Sequence, residues 1–203
     1  MSITFADQQY SFIQGRISAV LPDPYWCDTY NHGRGKDFVW NISLYYSDYL
    51  SIEFREGLGI NVDSWEKLDG FSTKWDKPIN PVLREGYGMA AYSEGVIDRH
   101  GWINQGEVAI SRISPLQFRI QAEGVSEYGP KFTLDDTVEF KKVEVNASGL
   151  EDQAMVEARL AESLTLQNLK LERFELLFRP NSDVMQTYKS GIQMATAVYL
   201  PTV

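Results

Sequence analysis

The chain is poor in reactive side chains: 203 residues hold one cysteine and two histidines. A lone Cys27 excludes an internal disulfide and fits a reducing compartment. Cys27, Asp28, His32 and His100 are the residues from which a zinc site would have to be built. Zinc favours closely spaced pairs of soft ligands, whereas here Cys27 and His32 lie five apart and His100 is far along the chain. No metal and no cofactor are expected. A Cys-His nucleophile would draw on the same residues, with Asp28 or Asp98 to orient the ring. No helix pattern follows Cys27 to lower its pKa, so the reading leans away from catalysis.

Other absences narrow the field further. The chain contains no Gly-x-x-x-x-Gly-Lys-[Ser/Thr] frame, no dinucleotide fingerprint, no calcium-loop consensus and no Gly-x-Ser-x-Gly elbow. Gly33-Arg34-Gly35-Lys36 has the glycines and cation of a phosphate loop, but a strand pattern follows where a helix N-terminus would be needed. Basic surface is scarce as well. The formal charge is −9, spread over both halves, and an acidic surface repels nucleic-acid backbones and anionic lipid headgroups. No run approaches 18 apolar residues, the length of a membrane-crossing helix. Met1-Ser2-Ile3-Thr4 followed by Asp7 shows neither the basic start nor the apolar stretch of a secretory leader. The expected location is cytoplasmic, without nucleic-acid or membrane partners.

Against these absences, aromatic residues are plentiful and unevenly placed. All five tryptophans lie at or before Trp102. Trp65, Trp75 and Trp102 sit among glycines and prolines, where a flat side chain is readily offered to a partner. Tyr25, Trp26 and Tyr30 form a second aromatic cluster. Asp98-Arg99-His100-Gly101-Trp102, a charged triplet ahead of a Gly-Trp turn, has two readings: a recognition loop, or an Asp-Arg surface pair with Trp102 turned inward to cover the core.

Period-two alternation recurs from end to end and marks a mainly β fold. Phe38, Trp40, Ile42, Leu44 and Tyr46 share one strand face, and Leu50, Ile52 and Phe54 continue it after Ser47-Asp48, which predicts a hairpin. A second hairpin is expected from Glu107 to Gln121 through Ser114-Pro115. Further strands are expected over 13–21, 137–145 and 192–200. Within 137–145 the apolar phase changes between Phe140 and Val143, which marks Lys141-Lys142 as a bulge or, alternatively, as a strand end with a bend. The stretch from Leu164 to Phe178 changes phase twice and reads as a bulged strand or two short ones. One amphipathic helix is expected near 149–163, begun by a capping box of Ser148 and Glu151. Residues 56–104 lack a clear pattern and either hide short strands or form an irregular excursion rich in glycine and aromatics.

The expected architecture is therefore a single β-rich domain over 1–203, an antiparallel sandwich or barrel of about 8–10 strands with one helix. The expected function is noncatalytic binding of a protein partner, basic ones included, through an aromatic loop face. That face would comprise Trp65, Trp75, Arg99, His100 and Trp102 with Tyr25, Trp26 and Tyr30; an inhibitor, immunity-type or assembly protein would have this character. Two alternatives stand beside it. One is a carbohydrate-binding module or glycan-active enzyme stacking sugars on Trp65, Trp75 and Trp102; the other is a carrier of a small apolar ligand in the interior of a barrel or sandwich.

Overall fold

A computed structural model describes residues 2–21, 38–47, 50–54, 60–76, 79–85, 99–126, 129–179 and 192–202. Among these residues the chain is mainly β, with twelve strands and one α-helix. The strands are β1 (Ser2–Phe5), β2 (Gln8–Ser11), β3 (Gln14–Leu21), β4 (Val39–Ser47), β5 (Leu50–Phe54), β6 (Ser72–Trp75), β7 (Ile79–Glu85), β8 (Arg99–Arg112), β9 (Gln117–Ser126), β10 (Lys131–Ser148), β11 (Leu169–Arg179) and β12 (Ile192–Pro201). The helix, α1, spans Gln153–Ala161. Backbone pairing follows the order β11-β12-β10-β3-β4-β5-β7-β8-β6; β9 pairs with both β8 and β10, and β1 with β10 and β2. Two compact units are distinguished: residues 1–17 with 40–141, and residues 18–39 with 142–203.

In the first unit, alternation in the sequence becomes alternation of burial. Trp40, Ile42, Leu44 and Tyr46 of β4 are buried, and β5 pairs antiparallel to it with Leu44 opposite Ile52 and Ile42 opposite Phe54. β5 is buried on both faces, Ser51 and Glu53 included. The β8–β9 hairpin sets Ile110 opposite Ile120, and its turn is closed by the Gln117 amide donating to the Ser114 carbonyl at 3.3 Å. β9 then pairs with β10, where Phe132, Leu134, Asp136, Val138 and Phe140 point inward in strict alternation. This pattern follows from a pleat in which every second side chain meets the same face.

The weakly patterned stretch after Arg55 hides short strands in its described part. It contains a 3-10 turn at Trp65–Leu68, then β6, β7 and the start of β8. Its glycines have structural work nearby. Gly106 of β8 lies opposite Gly124 of β9, beside a register shift between Ile103 and Gln105. A Cβ on Gly106 would come within 2.4 Å of the Glu123 carbonyl oxygen, and one on Gly124 within 2.8 Å of that of Gln105. Only glycine permits so close a backbone approach.

In the second unit, the C-terminal part of β10 pairs with β12, which pairs in turn with β11. The change of apolar phase along β10 falls where expected: Phe140 and Val143 are both buried, with Lys141 exposed between them. It coincides with a change of neighbour, since β9 pairs as far as Glu139 and β12 begins at Val143. Of the stretch expected to be a bulged strand or two short ones, Leu164 and Leu166 precede the strand; β11 starts at Leu169 and joins the two later phases through an irregularity between Leu171 and Arg173.

The helix is present but shorter than 149–163, and its cap is different. Ser148 belongs to β10, and Gly149 at φ +73° turns the chain away from the strand. The N-cap is Asp152, whose Oδ1 accepts from the Met155 amide at 2.8 Å. Aspartate matches serine as an N-cap, so the residue left outside the strand takes the role. Val156 and Leu160, one turn apart, are buried along with Leu164. Burial, and then the Glu157 carboxylate, push the pKa of the Tyr199 hydroxyl of β12 up to about 12.

Candidate functional site

Trp65 and Trp75 were expected at a surface, and the structure corrects both. Trp65 opens the 3-10 turn and is 1% exposed. Its ring stacks on Phe140 with centroids 4.9 Å apart and planes 10° from parallel, and its Nε1 donates to the Pro115 carbonyl at 3.3 Å. Trp75 ends β6 and is 8% exposed, with Nε1 donating to the Ile103 carbonyl at 3.1 Å. Its ring occupies the space a Cβ on Gly106 would need, at 2.9 Å. Each indole thus has its apolar body in the core and its one donor satisfied, which is how buried tryptophan is stabilised. Neither is available to stack on a sugar or to anchor a partner.

The remaining expected residues divide in two. Arg99, His100 and Trp102 lie on β8 at register positions opposite Glu85, Arg84 and Val82 of β7, so this segment is strand where a recognition loop ending in a turn was expected. β7 offers a free ladder to pair with, and pairing satisfies backbone groups that a loop would leave to solvent. Tyr25, Trp26, Tyr30, Cys27 and His32 lie outside the described residues. Among the described residues, no group of three or more His, Cys, Asp or Glu stands together as a metal site.

An open groove of about 610 Å³ crosses β6, β8, β9 and β10, lined by Lys74, Glu107, Gln121, Glu123 and Thr133 among others. Lys74 and Glu107 form an ion pair across it at 3.1 Å, with both side chains about half or more exposed. Its lining mixes these polar side chains with Val108, Ala109, Ala122 and Leu134, and it is open to solvent, unlike the enclosed apolar interior that a carrier of a small apolar ligand requires.

A different surface departs from the ordinary pattern. Among the described residues β11 pairs with β12 alone, so its other edge carries unpaired backbone groups. Toward its end the alternation of polar and apolar residues breaks down. Leu176, Leu177 and Phe178 are consecutive and 40%, 41% and 66% exposed. Leu177 lies opposite Met194, while Leu176 and Phe178 lie opposite Ala195 and Gln193 on the other face. Both faces of the strand end are therefore apolar and open.

Comparison with known protein families, curated proteins and solved structures finds no match.

An edge strand of this kind is normally blunted by short length, charge or proline, because it templates pairing with another strand. β11 is eleven residues long and carries no proline. Its charges, Lys170, Glu172, Arg173, Glu175 and Arg179, leave the Leu176–Phe178 segment uninterrupted. What this surface can do chemically is accept backbone hydrogen bonds and apolar side chains from an extended segment, the mode of strand addition. The sequence carried a signal for it in three adjacent apolar residues at a strand end. Which strand would lie at an edge was not written there.

Proposed function

We propose that this chain is a noncatalytic binding protein that engages a protein partner by strand addition at the free edge of β11. The observation that supports this reading is the exposed run Leu176-Leu177-Phe178 on a strand whose second edge is unpaired among the described residues. Backbone pairing supplies affinity there, and the side chains on alternate faces supply selectivity. The −9 formal charge would hasten capture of a basic partner. The edge itself has cations and anions interleaved, so the partner's contacting strand need not be basic. A cytoplasmic location belongs to the same proposal and rests on the single Cys27. Among the described residues no helix is long and apolar enough to cross a membrane.

The reading is tested by affinity capture from the source cell with three baits: the natural chain, Phe178→Lys and Trp65→Phe. A protein retained by the natural chain and Trp65→Phe, and lost with Phe178→Lys, supports it. Identical captures by all three baits would overturn it.

A further inference from the structure

The residues at the open end of β11 read Glu175-Leu176-Leu177-Phe178-Arg179, and this segment is complementary to itself. Set antiparallel to a second copy about a two-fold axis at Leu177, it places Glu175 opposite the other Arg179, Leu176 opposite Phe178, and Leu177 opposite Leu177. The two ends pair opposite charges and the three middle positions pair apolar side chains. We propose that the partner taken up at this edge is a second copy of this chain, its β11 added antiparallel in this register to make one sheet continuous through both molecules.

The fold supplies the conditions. A two-fold axis normal to the sheet keeps residues on the same face after the operation, so 175, 177 and 179 meet on one face and 176 and 178 on the other. The segment lies beyond the bulge between Leu171 and Arg173, in the regular part of the β11–β12 ladder from Arg173↔Val198 to Arg179↔Ile192. Register is decided by its neighbours. Centring on Glu175 sets the two Glu175 carboxylates opposite each other, and centring on Leu176 sets Arg173 opposite Arg179, both like-charge pairs that destabilise a ladder. Centring on Phe174 pairs Arg173 with Glu175 but leaves Leu176 facing Glu172 and Phe178 facing Lys170. Centring on Phe178 sets Leu177 opposite Arg179. Among these, the Leu177 register alone opposes charge with countercharge and covers all three residues that are 40%, 41% and 66% exposed.

Electrostatics bears on the same choice. Two molecules of formal charge −9 repel as they approach, so a contact that joins them must be neutral or attractive where they touch. A five-residue segment containing one glutamate and one arginine meets that requirement, and the Glu175–Arg179 pairs at its ends fix the alignment.

This inference rests on the reading of β11 as a binding edge, and its test uses the purified chain alone, so the two fail separately. Sedimentation velocity is measured over a concentration series for the natural chain, Glu175→Arg, Arg179→Glu, and an equimolar mixture of those two variants. Glu175 is exposed, and far-UV circular dichroism with thermal melting confirms that each variant is folded. The natural chain is expected to show a monomer–dimer equilibrium. Each variant alone faces like charges at both ends and is expected to associate on the order of tenfold more weakly. In the mixture, the introduced arginine of one variant faces the introduced glutamate of the other, and the unchanged Arg179 of the first faces the unchanged Glu175 of the second. Both ends are then paired with opposite charge, and the mixture is expected to recover the natural affinity. A natural chain that stays monomeric up to about 1 mM, where association would be worth only about 4 kcal/mol, overturns self-pairing. A dimer indifferent to both substitutions, or a mixture no tighter than its components, overturns this register. Neither result touches the capture experiment, which alone decides whether the edge binds another protein.

Discussion

Asp135 and Asp136 are neighbours on β10 with opposite electrostatic situations, because successive side chains in a strand point to opposite faces. Asp135 points outward, where the Arg119 guanidinium holds it by a bidentate pair and Gln121 adds a hydrogen bond at 3.1 Å. The Arg119 hydrogen bond lowers its pKa. Asp136 points inward and is 1% exposed, and its Oδ2 accepts from the Tyr46 hydroxyl at 2.6 Å. Desolvation by burial raises its pKa, and burial together with the Asp136 carboxylate raises that of Tyr46 strongly. The signs of linkage are opposite. The contribution of Asp135 is present above its unfolded pKa and is lost as pH falls through the folded value, but it is screened by solvent and small. A raised Asp136 favours the fold most below its unfolded pKa, and that advantage disappears as pH rises through the folded value. Asp136→Asn keeps an acceptor for Tyr46 and removes the ionisation. Its thermal midpoint minus that of the natural chain should therefore rise between pH 4 and pH 7; a difference that is flat or falls with pH would contradict the assignment.

At the scale of elements, the sequence was readable wherever apolar residues alternate along a strand. The β8–β9 hairpin, the bulge in β11 and the phase change in β10 leave a period-two trace because burial selects every second residue; β5 alternates in sequence as well, although Ser51 and Glu53 on its second face are also buried. Where another kind of structure takes over, that trace disappears. Trp65 is buried by a 3-10 turn in which Leu68, three residues on, is buried on the same side; alternation does not encode that spacing. Trp75 is buried because Gly106, 31 residues further along the chain, leaves room for its ring. Asp152 and Ser148 carry the same capping chemistry, and the choice between them depended on how far β10 ran. These devices differ in what they tolerate. Gly106→Ala drives a methyl into backbone and into Trp75, and overpacking of this kind costs about 1–3 kcal/mol. Asp152→Ala removes one capping bond at the exposed start of a short helix, a loss of about 1 kcal/mol. Urea unfolding should rank Gly106→Ala as the more damaging; equal effects would show that the β8–β9 approach is looser than described.

At the scale of the whole molecule, the acidic charge and the missing reactive motifs were legible from composition, and they pointed toward binding. The candidate surface was not legible in the same way, because aromatic content does not distinguish an indole on a surface from one in the core. With Trp65 and Trp75 buried, the feature among the described residues that combines an unpaired edge with a run of exposed apolar side chains is the β11 edge, whose position at one end of the strand order is a property of topology. Amide hydrogen exchange of the natural chain, followed by mass spectrometry at increasing protein concentration, tests this most directly. Self-pairing at the β11 edge predicts that peptides covering 175–179 slow their exchange as concentration rises, and that Leu177→Lys abolishes the effect while the rest of the chain is unchanged. Exchange at 175–179 that is independent of concentration, or protection that builds elsewhere in the chain, would contradict it.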